Sequence, residues 1–260
     1  MKTQAEPAMP ALVQLTAPAA GLRKPPIRIG LGAESVATKP PWLTVRWNQS
    51  PTFLALEARL REHRLHTVCE EAMCPNRGEC WARGVATVLI MGDICTRRCG
   101  FCAIGKGRPA PLDPDEPRRM GETAALLGAH YLVITSVDRD DLPDGGAAHF
   151  GACVRAVRDR TGADVEVLIP DFQGRRDSLE LLLESRPICL AHNVETVPEL
   201  YRTARPGSFY QRSLSVLAMS KEIAPDIATK SNIMLGLGET SEAVRRVLVD
   251  LLLSFFDGLT

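Results

Sequence analysis

The chain has 260 residues, enough to bury a full core as one domain or as one domain with a small annex. Its 31 basic and 31 acidic residues cancel, so no global field points to nucleic acid or to a membrane surface, and aromatics at 5% weaken a base-stacking reading. No apolar run approaches the roughly 18 residues of a membrane-spanning helix.

Residues 1–40 are rich in Pro, Ala and Gly and show neither helical nor strand period, which predicts a disordered tail. Small residues at Ala19–Ala20 follow a signal-peptide pattern, but Pro7, Pro10 and Pro18 with Gln14 and Thr16 break any apolar stretch. A reducing, cytoplasmic setting is expected. Trp42, behind Pro40 and Pro41, is the first aromatic anchor. Residues 51–64 predict an amphipathic helix with Leu54, Leu56 and Leu60 inward. Residues 65–80 read as loop.

Six of the eight cysteines lie between 69 and 102. Cys69, Cys74 and Cys80 are spaced C-x4-C-x5-C, and Cys95, Cys99 and Cys102 are spaced C-x3-C-x2-C. Thiolates this close in sequence can converge on a metal centre. Three is the informative number. A structural zinc site takes four protein ligands, so each triplet is one short, and His63 and His66 match no finger spacing. A disulfide framework suits a smaller, denser secreted scaffold. Three cysteines on a four-iron cluster leave one iron open to a substrate or to an unusual protein ligand.

From residue 85 strands and helices alternate. Strands are expected at 85–92, 130–136, 164–170, 187–193 and 229–236. Helices are expected at 114–127, 144–161, 176–185, 208–223 and 242–255, the last with Val244, Val247, Leu248, Leu251 and Phe255 on one face. Such alternation means parallel strands covered by helices. The expected fold is α/β, a partial (β/α) barrel with five of about six units, preceded by a cluster-binding extension. The boundaries are 1–40 for the tail, 41–84 for the extension and 85–260 for the barrel. Barrel chemistry sits on loops at the strands' carboxyl ends, where the second triplet, Asp138–Asp141, Asn193, Glu195 and Gly236–Glu239 all fall. Cys153 and Cys189 read as buried small hydrophobes.

The second triplet, with Phe101 before its last cysteine, resembles that of the radical S-adenosylmethionine (SAM) enzymes. Cys69-Glu70-Glu71-Ala72, Cys74-Pro75-Asn76, Cys95-Thr96-Arg97-Arg98-Cys99, Val133 to Asp141, Pro170-Asp171-Phe172, His192-Asn193, Arg205-Pro206-Gly207 and Gly236-Leu237-Gly238-Glu239-Thr240 together resemble the lipoyl synthase family over about residues 39–250. That resemblance implies two [4Fe-4S] clusters and SAM. Cys95, Cys99 and Cys102 would hold the cluster that cleaves SAM to a 5′-deoxyadenosyl radical. Cys69, Cys74 and Cys80 would hold a second cluster, consumed as the sulfur source. Two sulfur atoms would enter at C6 and C8 of an octanoyl chain on a lipoyl carrier domain, a 2-oxoacid dehydrogenase E2 or a glycine cleavage H protein. A flavodoxin- or ferredoxin-type reductant and an iron–sulfur cluster carrier would serve it.

The resemblance also suggests roles for other residues. Thr135, Ser136 and Asp138 would meet the SAM amino group; strand-end hydrogen bonding is the competing reading. Asn193 and Glu195 would hold the ribose, against helix capping by Asn193. Arg205 would clamp the carboxylate, against a solvated salt bridge. Gly236 and Gly238 would let the backbone approach adenine, against a glycine turn that opens a helix. Lys230 reads as a charge at the core's edge. Two departures stand out. Gly100 replaces a proline common in the family, and residues 241–260 contain nothing like the Arg-Ser-Ser-Tyr segment whose serine is a ligand of the second cluster. The expectation from the latter is a truncated chain lacking a cluster ligand, a barrel strand and part of the substrate wall. The alternatives are an iron–sulfur, SAM-binding protein without sulfur insertion, or another radical enzyme, biotin-synthase-like or methylthio-transferring.

Overall fold

Five strands, β2 (Thr87–Ile90), β5 (Tyr131–Ser136), β6 (Asp164–Leu168), β7 (Cys189–Ala191) and β8 (Ala228–Lys230), run parallel and neighbour one another in chain order. In this computed structural model the described residues are 50–63, 65–71, 74–82, 87–126 and 128–256. The expected tail 1–40, Trp42, Arg64, Ala72, Val85, Ala86 and Leu127 lie outside them. Chain-order adjacency is the signature of a singly wound barrel wall; a doubly wound sheet reverses direction partway. A parallel sheet must be covered on the side its helices pack against. Here Val88, Ile90, Ile134, Val165, Val167 and Leu190 form that side, none more than 3% exposed.

Register defines the other face. Leu89 pairs with Thr135, Thr135 with Leu168, Leu168 with Ala191, and Ala191 with Lys230. Leu89, Thr135 and Leu168 border a cavity, so this is the lumen side. Three polar lumen groups meet lower down, where Glu166 accepts from Tyr131 Oη (2.5 Å) and pairs with Lys230. Lys230 thus sits on the edge strand as a paired charge. Cys153 is fully buried on α5 (Ala147–Thr161), but Cys189 is only half-buried on β7.

The helices match expectation more closely than the strands do. α4 is Glu116–Leu126, α6 Arg176–Leu183, α8 Tyr210–Ile223 and α9 Ser241–Phe256, with a single turn, α7, at Tyr201–Ala204. The fifth strand ends early, at Lys230, with only a single parallel bridge, Glu195 to Ile233, beyond it before the chain turns through Gly236 (φ 100°) and Gly238 (φ 112°). Two helix faces need correction. In α1 (Pro51–Glu62), capped by Ser50 Oγ on Phe53 N, the inward residues are Phe53, Leu56 and Leu60, and Leu54 is 50% exposed. In α9, Ala243, Val247 and Leu251 are buried while Leu248 is 49% exposed.

Residues 65–80 are not loop. β1 (His66–Thr67) adds antiparallel to β2, followed by α2 (Val68–Glu71) and α3 (Arg77–Ala82). Thr67 caps the start of α2: its Oγ1 accepts from Glu70 N and donates to Glu70 Oε2. That T-x-x-E signal was present in the sequence. Phe53 stacks on Trp81 with ring centroids 5.1 Å apart, and both join the same buried cluster as the barrel strands. No helix of the described residues is long and apolar enough to cross a membrane.

Candidate functional site

After β2 the chain leaves the sheet through two left-handed residues, Met91 (φ 67°) and Gly92 (φ 88°). Glu116, at the start of α4, accepts from Met91 N and from the ring of His149, which pins this exit. The cysteine loop then closes on itself: β3 (Ile94–Cys95) pairs with β4 (Gly105–Lys106), and Gly107 N donates to Cys95 O. Neighbouring strand ends hold the loop. Gly100 N donates to Ala204 O, and Thr96 N and Oγ1 both donate to Asp138 O. The amides of Arg97 and Asp138 point at Cys95 Sγ, at 3.4 and 3.3 Å.

Cys95, Cys99 and Cys102 border one cavity of about 430 Å³. Thr135, Ser136, Asp138, Asn193, Glu195 and Arg205 border it too, as the loop positions predict. Gly236 and Gly238 do not. They are exposed, and Glu239 accepts from Gly236 N and Leu237 N as the loop opens α9, so here the helix-opening turn is what is seen. Within the first triplet Cys69 lies on α2 and is buried, and Cys74 and Cys80 are half-buried against the main core. The neighbouring Val68 borders the cavity.

The competing readings of several residues can now be compared. Asn193 caps no helix: its amide donates to Glu195 Oε1 and accepts from Asn232. Arg205 is buried, not solvated, with its guanidinium on Asn193 O and Tyr201 Oη. Thr135 Oγ1 is committed to Leu168 O, a strand-end bond. Ser136 Oγ and Arg205 Nε, by contrast, are buried on the cavity wall without a partner. Buried polar atoms are ordinarily paired, so such orphans mark places for a ligand. Glu195 is itself left-handed (φ 65°), held there by bonds to Asn232 O and from Met234 N. Outliers of this kind cluster where a side chain must be aimed.

Burial, with Asp138 adding to it, pushes the Cys95 thiol up to about 11; burial likewise raises Cys99 and Cys102, opposed by Arg205 and Lys106 respectively. These thiols must lose protons to bind metal. Burial pushes Asp138 up to about 6 against the pull of Arg97. Burial would raise Asp171 as well, but its hydrogen bond from Arg97 prevails and holds it at about 2. His192 is completely buried on the same wall; burial, then Arg205, lowers it to about 4. His192 and Asp171 were within quoted motifs, yet only their place at adjoining strand ends reveals their part in the site.

The profile of the radical SAM superfamily matches residues 89–251. Lipoyl synthase from Methylococcus capsulatus is 53% identical over 232 residues, 88% of this chain and 71% of the relative. Lipoyl synthase from Neisseria meningitidis serogroup C is 54% identical over 82% of this chain and 66% of the relative. This chain belongs to the lipoyl synthase family of radical SAM enzymes. It spans about two thirds of the length of such relatives. Among solved structures, methylornithine synthase aligns with a TM-score of 0.50 at 19% identity, over 63% of this chain and 50% of that one. The hydrogenase maturase HydG also gives 0.50, at 15% identity over 78% and 44%. Those two likenesses speak to the fold. Superfamily membership implies a [4Fe-4S] cluster with SAM. The cavity fits that pair, since it gathers three thiols, two orphaned polar atoms and the half-buried carboxylates of Asp138 and Glu195.

Proposed function

We propose that this chain acts as a lipoyl synthase, inserting sulfur at C6 and C8 of an octanoyl group carried on a lipoyl domain. The observation that carries the reading is the single cavity shared by Cys95, Cys99, Cys102 and the polar strand ends, with Val68, next to Cys69, on its wall. In this reading Cys95, Cys99 and Cys102 hold the radical cluster, and Cys69, Cys74 and Cys80 hold a second cluster that gives up sulfur. Cluster and SAM held by these residues would supply one-electron radical chemistry of the kind that unactivated C–H bonds require.

The chain's own residues would then bind, orient and exclude water. Ser136 and Asp138 would receive the SAM ammonium, since one offers an unused hydroxyl and the other a half-buried carboxylate. Glu195, with Asn193 fixing its carboxylate, receives the ribose hydroxyls. Arg205 Nε faces the methionine carboxylate. An adenine contact at Gly236–Gly238 would require Glu239 to release Gly236 N. Leu89, Ile104, Val137, Leu168, Ile169 and Met234 supply apolar wall, which keeps water from a reactive radical. The octanoylated partner would be an E2 lipoyl domain or a glycine cleavage H protein, with a flavodoxin- or ferredoxin-type reductant and a cluster carrier.

The test is anaerobic reconstitution, then reaction with SAM, dithionite and an octanoyl-lysine peptide. Mass spectrometry should show both 5′-deoxyadenosine and a product carrying two sulfurs. Deoxyadenosine alone would reduce the reading to SAM cleavage, and neither product would overturn it.

A further inference from the structure

Arg97 stands between two of the three cysteines and is only 5% exposed. Its Nε and Nη2 form a fork on Asp140, at 2.7 and 2.8 Å, and Nη2 also reaches Asp171 Oδ1 at 2.6 Å. Nη1 donates to Ser208 Oγ at 3.2 Å, and Nε lies 3.4 Å from Asp138 Oδ1. One guanidinium therefore joins the cysteine loop to the loops after β5 and β6 and to the approach to α8. We propose that Arg97 is a positioning residue for the radical cluster: it fixes the two N–H···S bonds on Cys95 and the carboxylate of Asp138 as one unit. The proposal rests on Cys95, Cys99 and Cys102 being the cluster ligands.

The geometry leaves little alternative for the charge. Asp138, Asp140 and Asp171 are three carboxylates around one point, and Asp171 has no exposed surface. Like charges so placed repel unless a common cation holds them. Arg212 supplements Asp171 at 3.3 Å but touches neither Asp138 nor Asp140. Only a planar fork with five donors can serve four acceptors at once; a lysine ammonium is a point charge and cannot. Consequently Arg97 anchors residues on both sides of Cys95. The amide of Arg97 itself and that of Asp138 are the two donors to Cys95 Sγ. Hydrogen bonds to cluster sulfur favour the more negative, reduced state and raise the potential. Loosening the clamp should lower the potential and misplace Asp138 together.

The test uses the full reconstituted chain and follows its SAM-responsive electron paramagnetic resonance signal in a redox titration, with SAM affinity measured alongside. Arg97→Lys should keep its iron, show a more negative midpoint and weaken SAM binding by about tenfold or more, the loss of a charge-assisted pair. Asp140→Asn should shift both in the same direction by less, and Arg118→Gln, on the outer surface, should shift neither. Unchanged midpoint and affinity in Arg97→Lys would overturn the proposal. If Arg97→Lys loses iron, Asp140→Asn decides: a shift supports the clamp and a parent-like protein overturns it. A parent without any SAM-responsive signal would sink the ligand assignment, and the clamp with it.

Discussion

His192 shows how far a single environment can move a group. Its ring bonds Ile169 O through Nδ1 and Ser213 Oγ through Nε2, and almost none of it is exposed. Held near 4 in the fold and at 6.5 when unfolded, it binds its proton more readily in the unfolded chain between those values. Stability therefore rises with pH across that window and falls on acidification, by on the order of a few kcal/mol. Asp138, raised from 3.8 to about 6, acts in the opposite direction over its own range, so slopes must be compared, not totals. In His192→Gln, urea unfolding between pH 4 and 6.5 should show a shallower loss on acidification than the parent does; an equal slope would remove His192 from the account. At Glu195 the carboxylate is half of a pair already oriented by Asn193. Glu195→Ala should weaken SAM binding by about 1–3 kcal/mol in cluster-loaded protein if a buried hydroxyl loses its partner. Unchanged affinity would return Glu195 to a purely local role.

At the level of elements, close helix contact governs α4 and α5. Gly121 on α4 faces the backbone of α5, and a Cβ there would lie 2.6 Å from Ala156 O. Alanine is favoured over glycine in a helix by about 1 kcal/mol. The collision with a carbonyl, which cannot rotate aside, outweighs this, because overpacking costs about 1–3 kcal/mol. Gly121→Ala should thus lower the urea midpoint at unchanged m-value. A raised midpoint would show that the two helices separate freely. The same dependence on neighbours explains the helix faces. Leu54 and Leu248 are as apolar as the residues beside them, but α1 is turned by Phe53 packing on Trp81, and α9 by its Ala243, Val247 and Leu251 packing into the cluster of Val194, Val197, Tyr201, Tyr210 and Leu217.

For the whole molecule, the question is whether the two cysteine triplets hold iron independently. Cys69, Cys74 and Cys80 are carried by the extension, Cys95, Cys99 and Cys102 by the first barrel loop, and one buried core joins the two regions. Replacing either triplet by alanine should remove about half the iron of the reconstituted parent. Only the Cys95/Cys99/Cys102 variant should lose the SAM-responsive signal. Full retention of iron in either variant would remove that triplet from the ligand set.

Alternating apolar runs and helical periods sufficed to place five parallel strands and the helices between them, because each is a local pattern repeated over many residues. Cysteine spacing likewise exposed both triplets, since it too is a local pattern. Strand ends were less legible: a parallel strand lasts only as long as its neighbour offers partners, and β7 and β8 run just three residues each. The Thr67 cap of α2 was readable but short. What tertiary structure alone decided was the company each polar residue keeps. The Asp138–Asp140 loop, Asp171 and Ser208 come from three separate parts of the chain and meet only because the loops after successive strands converge on one rim. Around a buried charge, the carboxylates that share one guanidinium are selected by that convergence, which no local pattern encodes.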